Sequence, residues 1–302
     1  MPGGREQSSA PLPENNADFI RHKLLSPPAT HSKIMSNIIR EQVCGKCAEL
    51  DIPVVGFASA QRWDTLPFEP WVPREFRPQA IWPEVKTVIV IGIPVSLPIV
   101  ETAPSIWYHE LYHTVNTLLD TSAFRIAASL NAQGIPSVSL PRDGYGSIGI
   151  LKEKPVVFFS HRHAAYLAGL GTFGINNVLL TPQFGPRVRF TSVFTTAEIT
   201  PDPIMEESLC TQCMRCVHAC PVNAIPGPEY PEGITDKITC ATRSEALHKR
   251  SISPCGICLK VCPVGEDRIP FHREDMGIYD EDKTGFDNYH AAWKHVRSYG
   301  SR

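Results

Sequence analysis

Eight of the ten cysteines lie between Cys210 and Cys262, and their spacing restricts what that stretch can form. It reads C-T-Q-C-M-R-C-V-H-A-C-P from Cys210 to Pro221, then a lone Cys240, then C-G-I-C-L-K-V-C-P from Cys255 to Pro263. Cys210, Cys213, Cys216 and Cys220 stand at C-x2-C-x2-C-x3-C-P spacing. Cys255, Cys258 and Cys262 repeat its later half, and Cys240 supplies the early cysteine that the second run lacks. Pro221 and Pro263 have no N–H and a fixed φ, which suits a chain turning out of a loop.

The spacing is that of bacterial ferredoxins, which hold cubane iron–sulfur clusters. Three thiolates on one tight loop reach three irons of a cube, and the fourth iron needs a ligand from elsewhere. After the C-x3-C step the chain has turned into a helix, so the fourth cysteine points to the other cluster. The expected sets are Cys210, Cys213, Cys216 and Cys262 for one [4Fe–4S] cluster, and Cys220, Cys240, Cys255 and Cys258 for a second. Structural zinc is the alternative, because C-x2-C pairs also hold zinc. The doubled pattern favours clusters. Disulfides fit less well, since closely spaced cysteines without a secretory signal suggest a reducing compartment.

A chain of 302 residues allows one large domain or two ordinary ones, and 42% hydrophobic residues suffice for a core. No apolar run approaches the ~20 residues of a membrane span. The longest, Val88 to Val95, has strand length. The first residues, M-P-G-G-R-E-Q-S-S-A-P, lack the apolar region of a signal peptide, so residues 1–30 are expected to be a disordered lead-in to a cytoplasmic protein. The formal net charge of −2 argues against DNA and tRNA as partners. The basic spot His248-Lys249-Arg250 suits a solvated loop.

Helices are expected over Ala17 to Leu25 and Ser32 to Leu50; in the second, Ile34, Ile38, Ile39, Val43 and Leu50 fall near a 3.6-residue period. Cys44 and Cys47 share a face of that helix at i and i+3. They are either small packing residues or a redox-active or metal-binding pair. Strand patterns follow at Ile52 to Ala58, Val85 to Val95, Ile135 to Leu140, Val156 to Phe159 and Arg187 to Thr196. Val85 to Val95 is almost wholly apolar and therefore central. Trp107 to Gln133 reads as a long helix with Leu111, Val115, Leu118, Leu119, Phe124, Ala127 and Leu130 on its buried side, ended by Gly134. Between them lies a loop rich in Pro and Trp, Gln61 to Pro83. Ser160 suits the N-cap of a helix from His161 to Leu170. This alternation of helices and strands indicates an α/β or α+β domain. The glycine-rich loop P-R-D-G-Y-G-S-I-G-I from Pro141 to Ile150 lacks the Gly-Lys-Ser/Thr of a nucleotide cradle. Gly169, Gly171 and Gly174 permit close approach of either a flat cofactor or another backbone.

Three blocks together resemble one superfamily: A-G-L-G-T-F-G-I-N at Ala168 to Asn176, T-P-Q-F-G-P-R-V-R-F at Thr181 to Phe190, and the doubled cysteine runs. They are similar to epoxyqueuosine reductase and equally to the core of corrinoid-dependent reductive dehalogenases, over about Ile34 to Gly265. The resemblance implies an α+β fold: a nitroreductase-like domain over residues 31–200 that holds a cobamide (cobalamin), followed by a double-cluster ferredoxin module over 201–268. Residues 269–302 form a tail that packs on the core or on a second subunit of a homodimer. Electrons from a ferredoxin or flavodoxin would pass through the two clusters to cobalt, which would reduce a small molecule or a modified nucleoside. The corrin would lie against Gly171, Thr172, Phe173 and Gly174, with Asn176 and Asn177 bonding its peripheral amides and Ser160, His161 and His163 opening the helix that leads there.

The chain also departs from that plan. Epoxyqueuosine reductases carry an acidic residue shortly before this helix; here Glu153 is nearby but misaligned, and their lysine in the glycine block is Ile175. The helical-repeat domain that many of them carry after the clusters is not in this sequence. Tyr145 is the best candidate for a proton donor, the alternative being a turn tyrosine with its hydroxyl in water. His218, inside the first cysteine run, either tunes a cluster through a hydrogen bond to sulfur or faces solvent. The rival to an enzyme is an electron carrier that reduces a partner such as a corrinoid protein. A wide cavity beside one cluster would separate the two.

Overall fold

The computed structural model describes residues 29–65 and 72–300. The helix expected over Ala17 to Leu25 lies outside them. Helix α1 (Ala29–Glu49) leads into β1 (Val54–Ser59), and β2 (Thr87–Pro94) follows the Pro- and Trp-rich segment. Helix α2 (Ile106–Asn131) starts on Ser105, whose hydroxyl accepts from the Tyr108 N–H at 3.1 Å, and the chain leaves its end through Gly134 at φ +76°. Then come β3 (Ser137–Ser139), a short α3 (Ile148–Glu153), α4 (His161–Leu167), the two-residue strands β4 (Thr172–Phe173) and β5 (Leu179–Leu180), and the long β6 (Val188–Thr195). Residues 156–159 do not form the expected short strand; 156 and 157 are irregular and 158 and 159 are bends.

The main sheet runs β1-β2-β6-β3 and every pair in it is antiparallel. Val88 and Val90 of β2 face one layer, with Phe190 and Phe194 of β6, the α4 residues Ala164, Ala165 and Leu167, and Trp63. Ile89 and Ile91 face the other, with Val193 and the buried sides of α1 and α2. Helices thus cover both faces. That explains why β2 is apolar at successive positions although the sheet is not parallel.

Two expected stripes shift. In α2 the buried line is Val115, Leu119, Ala123, Ile126 and Leu130, at steps of four and three, while Leu118 and Phe124 are exposed. In α1 it is Ile39, Val43 and Cys47, while Ile34 and Ile38 are exposed. Cys47 is therefore a core residue, and burial pushes its thiol up to about 12. Cys44 packs beside the same cluster and is also shifted up by burial. Neither thiol has the low-pKa surroundings of a reactive pair.

The glycine block serves the chain's own backbone. A Cβ on Gly169, which sits at φ +68°, would stand 2.0 Å from the Pro203 carbonyl oxygen. One on Gly171 would stand 1.8 Å from the Leu180 carbonyl oxygen, across the β4–β5 pair.

Downstream, the cysteine segment holds little regular structure beyond α5 (Lys237–His248), capped by the Asp236 carboxylate on the Thr239 N–H at 3.0 Å. The two cysteine runs repeat each other in backbone. Met214 at φ +59° and Gly256 at φ +70° each follow a cysteine and each start a single helical turn, Arg215–His218 and Ile257–Lys260. At the second site only glycine fits, because a Cβ would stand 2.5 Å from the Tyr108 ring. A last helix, α6 (Asp287–Arg297), stacks Trp293 on Tyr279 at 5.8 Å, within an apolar cluster that includes Val261 and Cys216. No helix among the described residues is long and apolar enough to cross a membrane.

Gly171→Ala is expected to cost about 3 kcal/mol of stability, because two backbone segments must separate. Gly45→Ala, on an exposed position of α1 with open space around the new methyl, is expected to add about 0.5–1 kcal/mol. Urea unfolding of the anaerobically purified protein measures both.

Candidate functional site

The cysteines sort into two groups in space. Cys210, Cys213, Cys216 and Cys262 line one small void together with Gly174, Ile175 and Asn176. Cys220, Cys240, Cys255 and Cys258 line another, much larger space. The single turns of the two runs make this crossing: each carries its last cysteine, Cys220 or Cys262, towards the other group. Among the described residues no three His, Cys, Asp or Glu side chains converge on a point fit for a single ion. The electrostatics of the thiols agree with the grouping. Burial, then Cys262, Cys213 and Cys210, push the Cys216 thiol up to about 11. Burial, then Cys255 and Cys240 of its own group, push Cys258 well above the ordinary range, with Cys216 of the other group and Cys220 adding less. Buried neighbouring thiols hold their protons until metal replaces them. His218 is exposed.

The larger space is a cavity of about 800 Å³. Its walls come from α2 (Tyr112, His113, Asn116), the glycine-rich loop (Arg142, Asp143, Tyr145), α4 (Arg162, His163), the β4–β5 turn (Phe173, Asn176, Asn177) and α5 (Lys237, Arg243). An adjoining lobe of about 420 Å³ shares Tyr112, Arg142, Asp143, Tyr145, Arg162 and His163 with it and reaches Ser160 and His161.

Several expected site residues prove to be committed within the chain. His161 is buried, its Nε2 2.9 Å from the Pro141 carbonyl and its Nδ1 2.9 Å from the Ser192 hydroxyl. A carbonyl only accepts, so Nε2 carries the proton and Nδ1 takes the serine's. The ring has no lone pair left for a cofactor. Ser160 occupies the N-cap position of α4, but its hydroxyl meets His163 Nδ1 at 2.6 Å and not the backbone. His163 Nε2 meets the Tyr230 hydroxyl at 2.7 Å. Asn177, at φ +55°, spends its amide on Ile175 and Gly233 carbonyls and accepts from the Thr235 N–H at 2.8 Å. Gly171 and Thr172 pack on β5 and Leu209, and Gly174 lies on the small cysteine-lined void. Phe173, Asn176 and His163 do face the cavity. Asn176 lines both spaces.

Tyr145 faces the cavity and its lobe, and burial, Tyr112 and Asp143 raise its phenol above the ordinary value against the pull of Arg189 and Arg142. The charges around it form a network. Arg189 bonds Asn116 at 3.1 Å and Asp143 at 3.1 Å, and lies 4.4 Å over the Tyr112 ring; Arg142 pairs with Asp120 and Asp143. Arg162 donates to the Asn177 carbonyl. Glu153 is exposed and outside the cavity, whereas Asp143 lines it. The charged side chains Asp143, Arg162 and Arg189 escaped sequence reasoning. The alternation R-V-R-F at the head of β6 was the available signal for Arg189.

An α+β domain with a cysteine-rich module against its cavity defines the class. Residues 209–266 match the family model described as a 4Fe-4S dicluster domain. The tetrachloroethene reductive dehalogenase of Desulfitobacterium hafniense is 26% identical over 193 residues, 59% of this chain and 32% of that protein. The epoxyqueuosine reductase of Listeria monocytogenes is 32% identical over 121 residues, 35% of this chain and 30% of that protein. A solved reductive dehalogenase, described as performing B12-dependent dehalogenation, superposes with a TM-score of 0.57 at 22% identity over 84% of this chain and 37% of its own. That likeness shows a shared fold. The chain spans about a third of the length of the curated relatives it matches.

Burial lowers the His161 ring from the usual 6.5 to about 4; burial, then Arg162 and Lys237, lower His163 to about 3. Unfolding therefore takes up protons below the ordinary histidine value, and stability is full above pH 6.5 and lost as pH falls towards the folded values. Between pH 6.5 and 5 the free energy of unfolding should fall by up to about 1.4 kcal/mol per pH unit for each ring. His163→Gln should flatten that slope. Urea titrations at a series of pH values read it.

Proposed function

We propose that this protein is an iron–sulfur reductase that uses a cobamide. In this reading Cys210, Cys213, Cys216 and Cys262 hold one [4Fe–4S] cluster, and Cys220, Cys240, Cys255 and Cys258 hold the second. The observation that carries it is that the second cysteine set forms one wall of the 800 Å³ cavity. An electron carrier needs no such cavity. A cluster at that wall would face whatever the cavity binds.

The lining fits a cobamide. The volume lies at the upper end for small-molecule pockets, which run to about 1,000 Å³, and the adjoining lobe leaves room for a substrate. Phe173, Val178 and Leu151 offer apolar surface to a flat ring, the Asn176 amide suits peripheral amides, and Arg162 and Lys237 suit a phosphate. When bound, the cobamide supplies the metal centre that reduces the substrate. The chain's own residues bring in electrons, place the substrate and deliver a proton. Cys213 of the first set and Cys240 of the second are both exposed; because the second set faces the cavity, a ferredoxin or flavodoxin would meet the first cluster, at Cys213. Reductive removal of a leaving group consumes two electrons and one proton. Tyr145 would give that proton from its hydroxyl, because its raised pKa keeps it protonated at neutral pH and Arg142 and Arg189 would steady the phenolate. The substrate is a small molecule or a modified nucleoside, and the free thiols suit the reducing cytoplasm.

Anaerobic reconstitution with iron, sulfide and cobalamin, followed by desalting and metal analysis, tests the proposal. About eight irons with one retained cobalt are expected. Eight irons without cobalt would make the protein an electron carrier. Cys216→Ser should remove about half of the iron while leaving the second cluster's spectrum.

A further inference from the structure

Given the second cluster of the proposed function, we infer that Arg243 is its positioning and potential-setting residue. Arg243 stands on α5, three residues after Cys240, so both side chains share one face of the helix. Its guanidinium reaches across to the other cysteine run. The Nε–H donates to Cys255 Sγ at 3.4 Å, and the same side chain lines the cavity. The helix that supplies one cysteine of the set thus holds a second cysteine through a cation.

The geometry has an electronic consequence. A cysteinate bound to iron carries negative charge, and reducing the cluster adds to it. A cationic N–H aimed at the sulfur stabilises the reduced form more than the oxidised form, which raises the potential. The second sulfur contact of this set is neutral, the Ala224 N–H on Cys220 Sγ at 3.3 Å. The arginines at the other void act differently. Arg187 and Arg268 donate to the Cys262 carbonyl and not to its sulfur. Arg243 therefore holds the cavity-facing cluster at a potential at which it draws electrons from its donor, and ties its ligand Cys255 to α5.

Full-length protein, Arg243→Gln and Arg243→Lys are reconstituted anaerobically and titrated with reductant while the two cluster signals are followed by electron paramagnetic resonance. The signal lost in Cys255→Ser identifies the relevant cluster. In Arg243→Gln that cluster's reduced-to-oxidised ratio at a fixed poise should fall roughly tenfold, a shift of about 59 mV for one electron, with the other signal unmoved. Arg243→Lys keeps the charge without the directed N–H and should fall between, which also serves should the glutamine variant not assemble. Unchanged midpoints in an iron-replete variant, or a shift confined to the other cluster, would overturn the inference. An unmutated protein that takes up fewer than two clusters would instead overturn the ligand assignment on which it rests.

Discussion

Arg187 is the residue on which the joining of sheet and cysteine segment depends. It sits just before β6, fully buried, and makes a two-pronged ion pair with Asp267 at 2.6 and 2.7 Å. Its remaining N–H groups donate to the carbonyls of Leu259, Cys262 and Val264. A buried ion pair gains little over apolar packing, but losing one partner of such a pair costs several kcal/mol, about 3–5. Here the loss would also take the side-chain donor from the Leu259 and Val264 carbonyls, while the Cys262 carbonyl keeps its bond from Arg268. Gly185 completes the joint, since a Cβ there would stand 1.9 Å from the Val264 carbonyl oxygen. The backbone N–H groups of Glu266 and Asp267 return bonds to Pro182 and Gln183. The segment that carries Cys262 and lines the small void is thereby registered against the chain leading into β6 by hydrogen bonds at fixed positions.

The parts legible in the sequence are those set by short-range geometry. The iron–sulfur character of the cysteine segment was legible from its spacing, because a C-x2-C turn and a helical turn after it leave few directions for a thiol, and residues 209–266 match a 4Fe-4S dicluster domain. The central place of β2 followed from its apolar run. Stripes on α1 and α2 were legible only in part. Ile34, Ile38, Leu118 and Phe124 are as apolar as their buried neighbours, and which line faces inward is decided by how the helix lies on the sheet. Periodicity fixes a face to within one residue column and no better.

The cavity was not legible, for a physical reason. Its walls come from segments spread from Tyr112 to Leu259, and its charged residues read singly as ordinary surface. Arg162 stands between two histidines, yet the histidines turn to Pro141, Ser192, Ser160 and Tyr230 while the arginine points into the space. The glycines misled in the opposite direction. They invite the idea of a flat ligand, but Gly169 and Gly171 are pressed against Pro203 and Leu180. A tight turn that admits backbone and one that admits a cofactor use the same residue, so glycine alone cannot separate them.

The two cysteine runs share a backbone plan and differ in what surrounds them. The second run starts its turn at Gly256, pressed against Tyr108 of α2, and its Cys255 and Cys258 look into the cavity while Cys262 lines the small void. The first run starts at Met214, whose neighbour Cys213 is exposed. Helix α5 then ties the inner set to the cavity's outer wall, with Cys240 and Arg243 on the cysteine side and Glu245 pairing with Lys152 of α3 at 2.9 Å. Two copies of one loop would be interchangeable in isolation. In the proposed reductase the cluster on Cys255 and Cys258 would be the inner one, beside the cavity, and the cluster reached through Cys213 the outer one, the order that a path from a docked donor to the cavity would need.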